Sequence, residues 1–181
     1  MLQLRIDDAE LFDERTMRFI TVKGQTLQLE HSLVSISKWE AKWKKPFMSP
    51  NPKTQEETVD YIRFMTITQN VNPVVYELIT KDHIDQVMAY IEDPMTATTI
   101  KNKEGKGGSR QIITSEVVYY YMTAFQIPFD PCQKWHFNRL MTLIRVCDEK
   151  NTPPKKMSRG QTARSNHSLN AARRAKMHTK G

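Results

Sequence analysis

Cys132 and His136 stand four residues apart, the spacing that puts two side chains on one face of a helix, where a thiolate and an imidazole could share a zinc ion. A structural zinc site takes four ligands, and the remaining candidates, Cys147 and His83, follow no recognised spacing. The pair therefore reads as a core thiol beside a partly buried imidazole. Gly105-Lys106-Gly107-Gly108-Ser109 offers successive glycine amides that could point at a phosphate. It lacks the P-loop interval between its first glycine and Gly-Lys-Ser/Thr, and no buried strand precedes it, so a solvated loop is expected. Asp82, His83 and Asp85 open a helical segment, where the helix dipole favours carboxylates without any catalytic role. Asp7, Asp8, Glu10, Asp13 and Glu14 form an acidic stretch that suits a solvated face or a docking site for a basic partner. None of these groupings amounts to catalytic machinery, so no catalytic residue, cofactor or metal is expected.

Two further groups point to binding. Trp39 and Trp43, with Lys38, Lys42, Lys44 and Lys45, have the aromatic and basic character of a nucleic-acid surface, although a tryptophan pair at helical spacing also suits a core. Residues 151–181 hold eight Lys or Arg and no Asp or Glu: Lys155, Lys156, Arg159, Arg164, Arg173, Arg174, Lys176 and Lys180. The whole chain carries +7, so residues 1–150 sum to −1. A nearly neutral body thus bears a cationic arm, whose self-repulsion predicts a disordered segment or a short helix from about Ser168. Nucleic-acid phosphates and acidic protein surfaces both suit such an arm; a membrane does not, because Leu169 and Met177 provide little insertion energy.

The elements that must carry these groups follow from periodicity. Alternation over residues 17–22, a Lys23-Gly24 turn signal and Leu27 and Leu29 predict a β-hairpin, with Leu2, Leu4 and Ile6 as a third strand. Leu33, Ile36, Trp39 and Trp43 then fall on one face of a helix opened by Ser32 and ended by Pro46. Thr54 and Glu57 form a capping box for a helix to about Gln69. Shorter helices follow over residues 74–80 and 83–91, the second opened by Asp82. Residues 101–110 read as an exposed loop, and Thr114 as the cap of a helix ending at Pro128. Asp130-Pro131 reads as the start of one helix to about Lys150, with Phe137, Leu140, Met141, Ile144 and Cys147 on its apolar face. On that helix Cys132 and Cys147 would stand about 22 Å apart, beyond disulfide reach, so both are expected as reduced thiols.

The expected fold is α+β, a mainly helical body with an N-terminal β-hairpin or small sheet and a flexible basic C-terminal tail. Residues 1–150 form one globular domain, β-rich over 1–30 and mostly helical over 31–150, and residues 151–181 the tail. The longest uncharged stretches, residues 64–76 and 117–129, are too short to span a bilayer, and no secretory signal is evident at the start. A cytoplasmic protein is expected.

Six phrases carry a resemblance: His31-Ser-Leu-Val-Ser-Ile-Ser-Lys-Trp-Glu40, Thr54-Gln-Glu-Glu-Thr58, Ile113-Thr-Ser-Glu-Val-Val-Tyr-Tyr120, Ile127-Pro-Phe129, Trp135-His-Phe-Asn-Arg-Leu140 and Pro154-Lys-Lys-Met157. Together they resemble the tail assembly chaperones encoded among the tail genes of long-tailed, siphovirus-type bacteriophages. The match runs from about His31 to the end and is densest between Ile113 and Met157. It implies a non-enzymatic protein of the host cell cytoplasm that binds the tape measure protein, brings tail tube subunits to it, and is absent from the mature virion. It also implies a longer, frameshifted form of the same product. The residues expected to meet a partner are Trp39, Trp43, Lys155, Lys156, Arg159, Arg164, Arg173, Arg174 and Lys176, whereas Trp135 and Arg139 are expected to be structural. Several of the ten methionines would suit an adaptable apolar groove. The alternative is a nucleic-acid-binding structural or packaging protein that uses the same cations on phosphates.

Overall fold

Hydrophobic alternation in the N-terminal segment has a single solution: Leu4, Ile6, Leu27 and Leu29 are all buried, and the residues between them face outwards. In the computed structural model, which describes residues 1–15, 17–99, 112–153 and 158–177, β1 (Leu2–Ile6) pairs antiparallel with β4 (Gln25–Leu29). Between them, β2 (Ala9–Asp13) pairs antiparallel with β3 (Arg18–Val22). Both pairs keep one register, because Ile6↔Gln25 advances by three residues on each strand to Ala9↔Val22. They are therefore two halves of one long ribbon, interrupted where Asp7 and Asp8 stand opposite Lys23 and Gly24.

The N-terminal hairpin forms, but its expected turn is corrected. Lys23-Gly24 is the interruption, and the chain reverses between Asp13 and Arg18. Glycine is needed there for close approach: a Cβ on Gly24 would lie 2.2 Å from the Ile6 carbonyl oxygen and 2.5 Å from the Asp7 carbonyl carbon. The Asp8 carboxylate fixes the site by accepting the Gly24 amide at 2.7 Å. Because the obstructing atoms are backbone, Gly24→Ala is expected to cost about 1–3 kcal/mol, read as a lowered thermal midpoint.

The body is mainly helical. α1 (Leu33–Trp43) starts at Ser32, whose hydroxyl accepts the Ser35 amide while the Ser35 hydroxyl accepts the Ser32 amide. It ends at Lys44, which adopts φ 54° and returns its amide to the Glu40 carbonyl, two residues before Pro46. α2 (Gln55–Met65) has the expected Thr54 and Glu57 capping box, with bonds of 3.2 and 2.9 Å. It stops at Met65, short of Gln69, because the chain turns to extend the sheet: Ile67 donates to the Gln28 carbonyl at 2.8 Å, and Leu29 bridges Thr66.

A 3-10 helix (Pro73–Leu78) leads to α3 (Lys81–Glu92), which is capped by Thr80 and His83 and not by Asp82. α4 (Ser115–Ala124) is followed by a short α5 (Phe129–Cys132), then α6 (Phe137–Asn151). The single helix expected from Asp130 does not form. The Asp130-Pro131 peptide is cis, and Asp130 keeps φ −99° and ψ 126°, consistent with the steric bar to helical geometry before proline. Cys132 and Cys147 thus belong to different helices, and both are free thiols.

The chain divides into two units, Met1–Asp148 and Glu149–Gly181. In the first, the inner ribbon, α1, α2 and α6 enclose the core, with Leu27, Leu33, Ile36, Ile62, Met65 and Leu140 at its centre. The second contains α7 (Arg159–Met177), which begins at Ser158 and not near Ser168. Ser158 and Gln161 form its capping box: the serine hydroxyl accepts the Gln161 amide and the Gln161 side chain accepts the Ser158 amide.

Candidate functional site

α7 is a helix that buries none of its side chains. Arg159, Arg164, Arg173, Arg174 and Lys176 lie along it with no acidic residue, while Lys155 and Lys156 fall outside the described residues. At 3.6 residues per turn, Arg159, Arg164 and Lys176 project on three different sides, so the positive charge surrounds the helix. Leu169 and Met177 are exposed and stand about 12 Å apart along the axis, at most a thin apolar stripe. Such a helix offers a membrane no insertion face, and no described helix is long and apolar enough to cross one. The last-turn cations favourably oppose the helix dipole.

The tryptophan pair divides. Trp39 is a core residue, its indole N–H donating to the Glu57 carbonyl at 2.9 Å and its ring edge-on to Phe47 at 5.2 Å. This corrects its expected place on a contact surface, since a buried indole cannot touch a partner in this fold. Trp43 is half-buried, and its indole nitrogen has no hydrogen-bond partner among the described residues. Its ring is flanked by the ammonium groups of Lys42 and Lys45 at 5.3 and 5.9 Å. Those lysines also pair across to α2, Lys42 with Asp60 and Lys45 with Glu57 at 2.5 Å. The Lys45 hydrogen bond, aided by the Thr54 amide, holds the Glu57 carboxyl below its usual range. Lys42 and Lys45 thus tie the end of α1 to α2, while Lys38 and Lys44 are exposed, and the arm carries the larger concentration of positive charge. Trp135 lies under the Arg139 guanidinium at 4.3 Å, a stacking contact within the fold.

A buried polar centre, which no sequence pattern announces, joins the body. His31 and His136 pack edge-to-face at 5.1 Å, joined by a backbone bridge between Ser32 and His136 and by the Phe137 amide donating to the His31 carbonyl at 2.7 Å. His31 Nδ1 lies 2.5 Å from the Tyr61 hydroxyl. His136 Nδ1 accepts the Asn138 amide at 3.3 Å, which leaves Nε2 as the protonated nitrogen facing the Tyr90 carbonyl at 3.1 Å. The Tyr90 hydroxyl donates to Glu30 at 2.7 Å. Burial, reinforced by His136, pushes the His31 imidazole down to about 3; burial also lowers His136 and raises the phenols of Tyr61 and Tyr90.

Both nitrogens of His136 are engaged, so neither is free to ligate a metal beside Cys132. Among the described residues no group of three or more His, Cys, Asp or Glu stands close enough to hold an ion. The Gly105 to Ser109 phosphate-cradle candidate lies outside the described residues. Ser32 and Ser35 hydroxyls are occupied in the cap of α1, and neither is aligned on an imidazole. Neither histidine lines the apolar groove of about 400 Å³ between α2 and α3, whose walls include Phe47, Tyr61, Ile84, Val87 and Met88. The histidine pair joins segments distant in sequence.

Comparison with protein-family models, with curated proteins and with solved structures finds no match to this chain.

Proposed function

We propose that the chain is a tail assembly chaperone of a long-tailed bacteriophage, acting in the host cytoplasm on the tape measure protein and helping to recruit tail tube subunits. The observation that carries this reading is the division of charge between a nearly neutral body and an exposed helix with five cations and no acid. The six sequence phrases that resemble the chaperone family add to it. A helix of this charge gains most by meeting acidic stretches of another chain, and that attraction weakens with salt. The apolar groove beside Met88 offers an adaptable surface for helical client segments. A longer frameshifted product and absence from the finished virion belong to the same proposal.

The test is co-expression with the long, helix-rich protein encoded next to this one in the tail cluster. The full chain is expected to bring that protein into the soluble fraction, and removal of residues 151–181 to abolish the rescue. No gain in soluble client with the full chain overturns the reading. The cations of α7 would serve phosphates equally well, and this nucleic-acid alternative is separated by salt. A phosphate binder making about six to eight contacts loses roughly a thousandfold in DNA affinity between about 50 and 200 mM salt, whereas a chaperone needs no DNA affinity.

A further inference from the structure

The outer half of the ribbon carries an aromatic pair on a face that no described residue covers. Phe12 and Phe19 are directly opposed across β2 and β3, their rings 5.2 Å apart, and they remain 47% and 71% exposed. The same face carries the exposed Glu10 and Thr21, whereas Val22 on the opposite face is buried. A two-stranded ribbon is marginal by itself, and opposed phenylalanines left in water forgo most of their burial energy. Residues 7–14 hold five carboxylates, but Arg5, Arg15, Arg18 and Lys23 share the ribbon and Arg5 pairs with Asp7 at 3.1 Å, so it is the exposed Glu10 and Glu14 that stand against an arm of eight cations and no acid.

We infer that the Phe12 and Phe19 face of the ribbon receives the arginine-rich helix α7 of a second copy of this chain. Guanidinium planes stack on aromatic faces while pairing with carboxylates beside them, and both partners are present in every copy. The exposed Glu10 and Glu14 stand two residues to either side of Phe12. Since ribbon and arm are different surfaces, the contact is heterologous, and each bound copy presents a free ribbon or arm to the next. Acidic client segments would use the same cations, so client binding competes with this association.

The experiment uses the purified full chain without client, so it succeeds or fails independently of the chaperone reading. Sedimentation equilibrium is expected to show association at about 50 mM salt that weakens tenfold or more at about 500 mM. A ribbon variant, Phe12→Ser with Phe19→Ser, and an arm variant, Arg164→Glu with Arg173→Glu, are each expected to be monomeric. Mixed together they are expected to form a 1:1 heterodimer and nothing larger, because only one intact ribbon and one intact arm remain. All four side chains are exposed, so folding is preserved, and circular dichroism verifies it. The proposal is overturned by a wild-type chain that stays monomeric at every salt concentration, including one whose arm folds onto its own ribbon. It is equally overturned by association that survives either variant, or by a mixture that fails to pair.

Discussion

Replacing Glu40 by alanine is expected to lower the unfolding free energy by about 3–5 kcal/mol, measured by urea denaturation at neutral pH. Glu40 lies on α1, and its buried carboxylate is shared between two distant segments. One oxygen accepts the Phe47 amide at 2.8 Å. The other accepts the amide of Ser115 at 2.8 Å and its hydroxyl at 2.5 Å, from 75 residues away. Ser115 is the first residue of α4, so this carboxylate caps α4 from another helix and sits where the helix dipole favours negative charge. Alanine would leave two buried amides without an acceptor, each costing about 1–3 kcal/mol, besides the lost dipole interaction. Glu40→Gln keeps the shape but faces one donor with an NH2 group, so an intermediate loss is expected. A loss below about 1 kcal/mol for alanine would show that water or the Thr114 side chain takes over the cap.

That residue also marks where sequence reasoning reaches its limit. Thr54 and Glu57, or Ser32 ahead of Leu33, announce their helices because donor and acceptor lie within one turn of each other. Thr114 presents the same kind of signal, yet it makes no side-chain cap bond: its side chain is engaged with the Glu116 carboxylate, and Glu40 supplies the acceptor for the Ser115 amide. No local pattern distinguishes the two cases. The ribbon is ambiguous in a related way: alternation locates its strands, but Gly24 signals a turn and a close backbone approach with the same letter. Asp130-Pro131 does punctuate the chain, but it does not cap a long helix, because Asp130 keeps the non-helical dihedrals that a following proline favours.

The candidate site is legible where composition decides and illegible where packing decides. Eight cations without an acid have no core explanation, so composition alone singles out the arm. Trp39 and Trp43 have one spacing and one neighbourhood of lysines, yet one is buried and the other half-exposed. Their difference is set by α2, which places the Glu57 carbonyl against the Trp39 indole. The spacing of His136 from Cys132 suggests a metal that the imidazole is not placed to bind, and nothing local to His31 suggests a role at all. The contact that defines both histidines lies across the fold.

The histidine pair makes the body acid-sensitive in a window where few other groups titrate. Burial depresses the folded His31 value to about 3 from an ordinary 6.5, and the nearby His136 adds repulsion to any second proton. A depressed imidazole means that the unfolded chain binds more protons, so stability rises with pH. The penalty is absent above the unfolded value, begins as pH falls through about 6.5, and grows until the folded value near 3 is reached. One such group contributes a slope of about 1.4 kcal/mol per pH unit, hence about 2 kcal/mol between neutral pH and pH 5. His136, shifted in the same direction chiefly by burial, steepens the fall, while Glu30 beyond Tyr90 favours its proton and moderates it. Urea unfolding at about pH 7.5 and pH 5 is expected to show this loss, and His31→Gln to flatten it while keeping a polar side chain near Tyr61. Equal slopes for the variant and the parent chain would mean that His31 gains its proton without cost, which a ring this deeply buried beside a second imidazole should not allow.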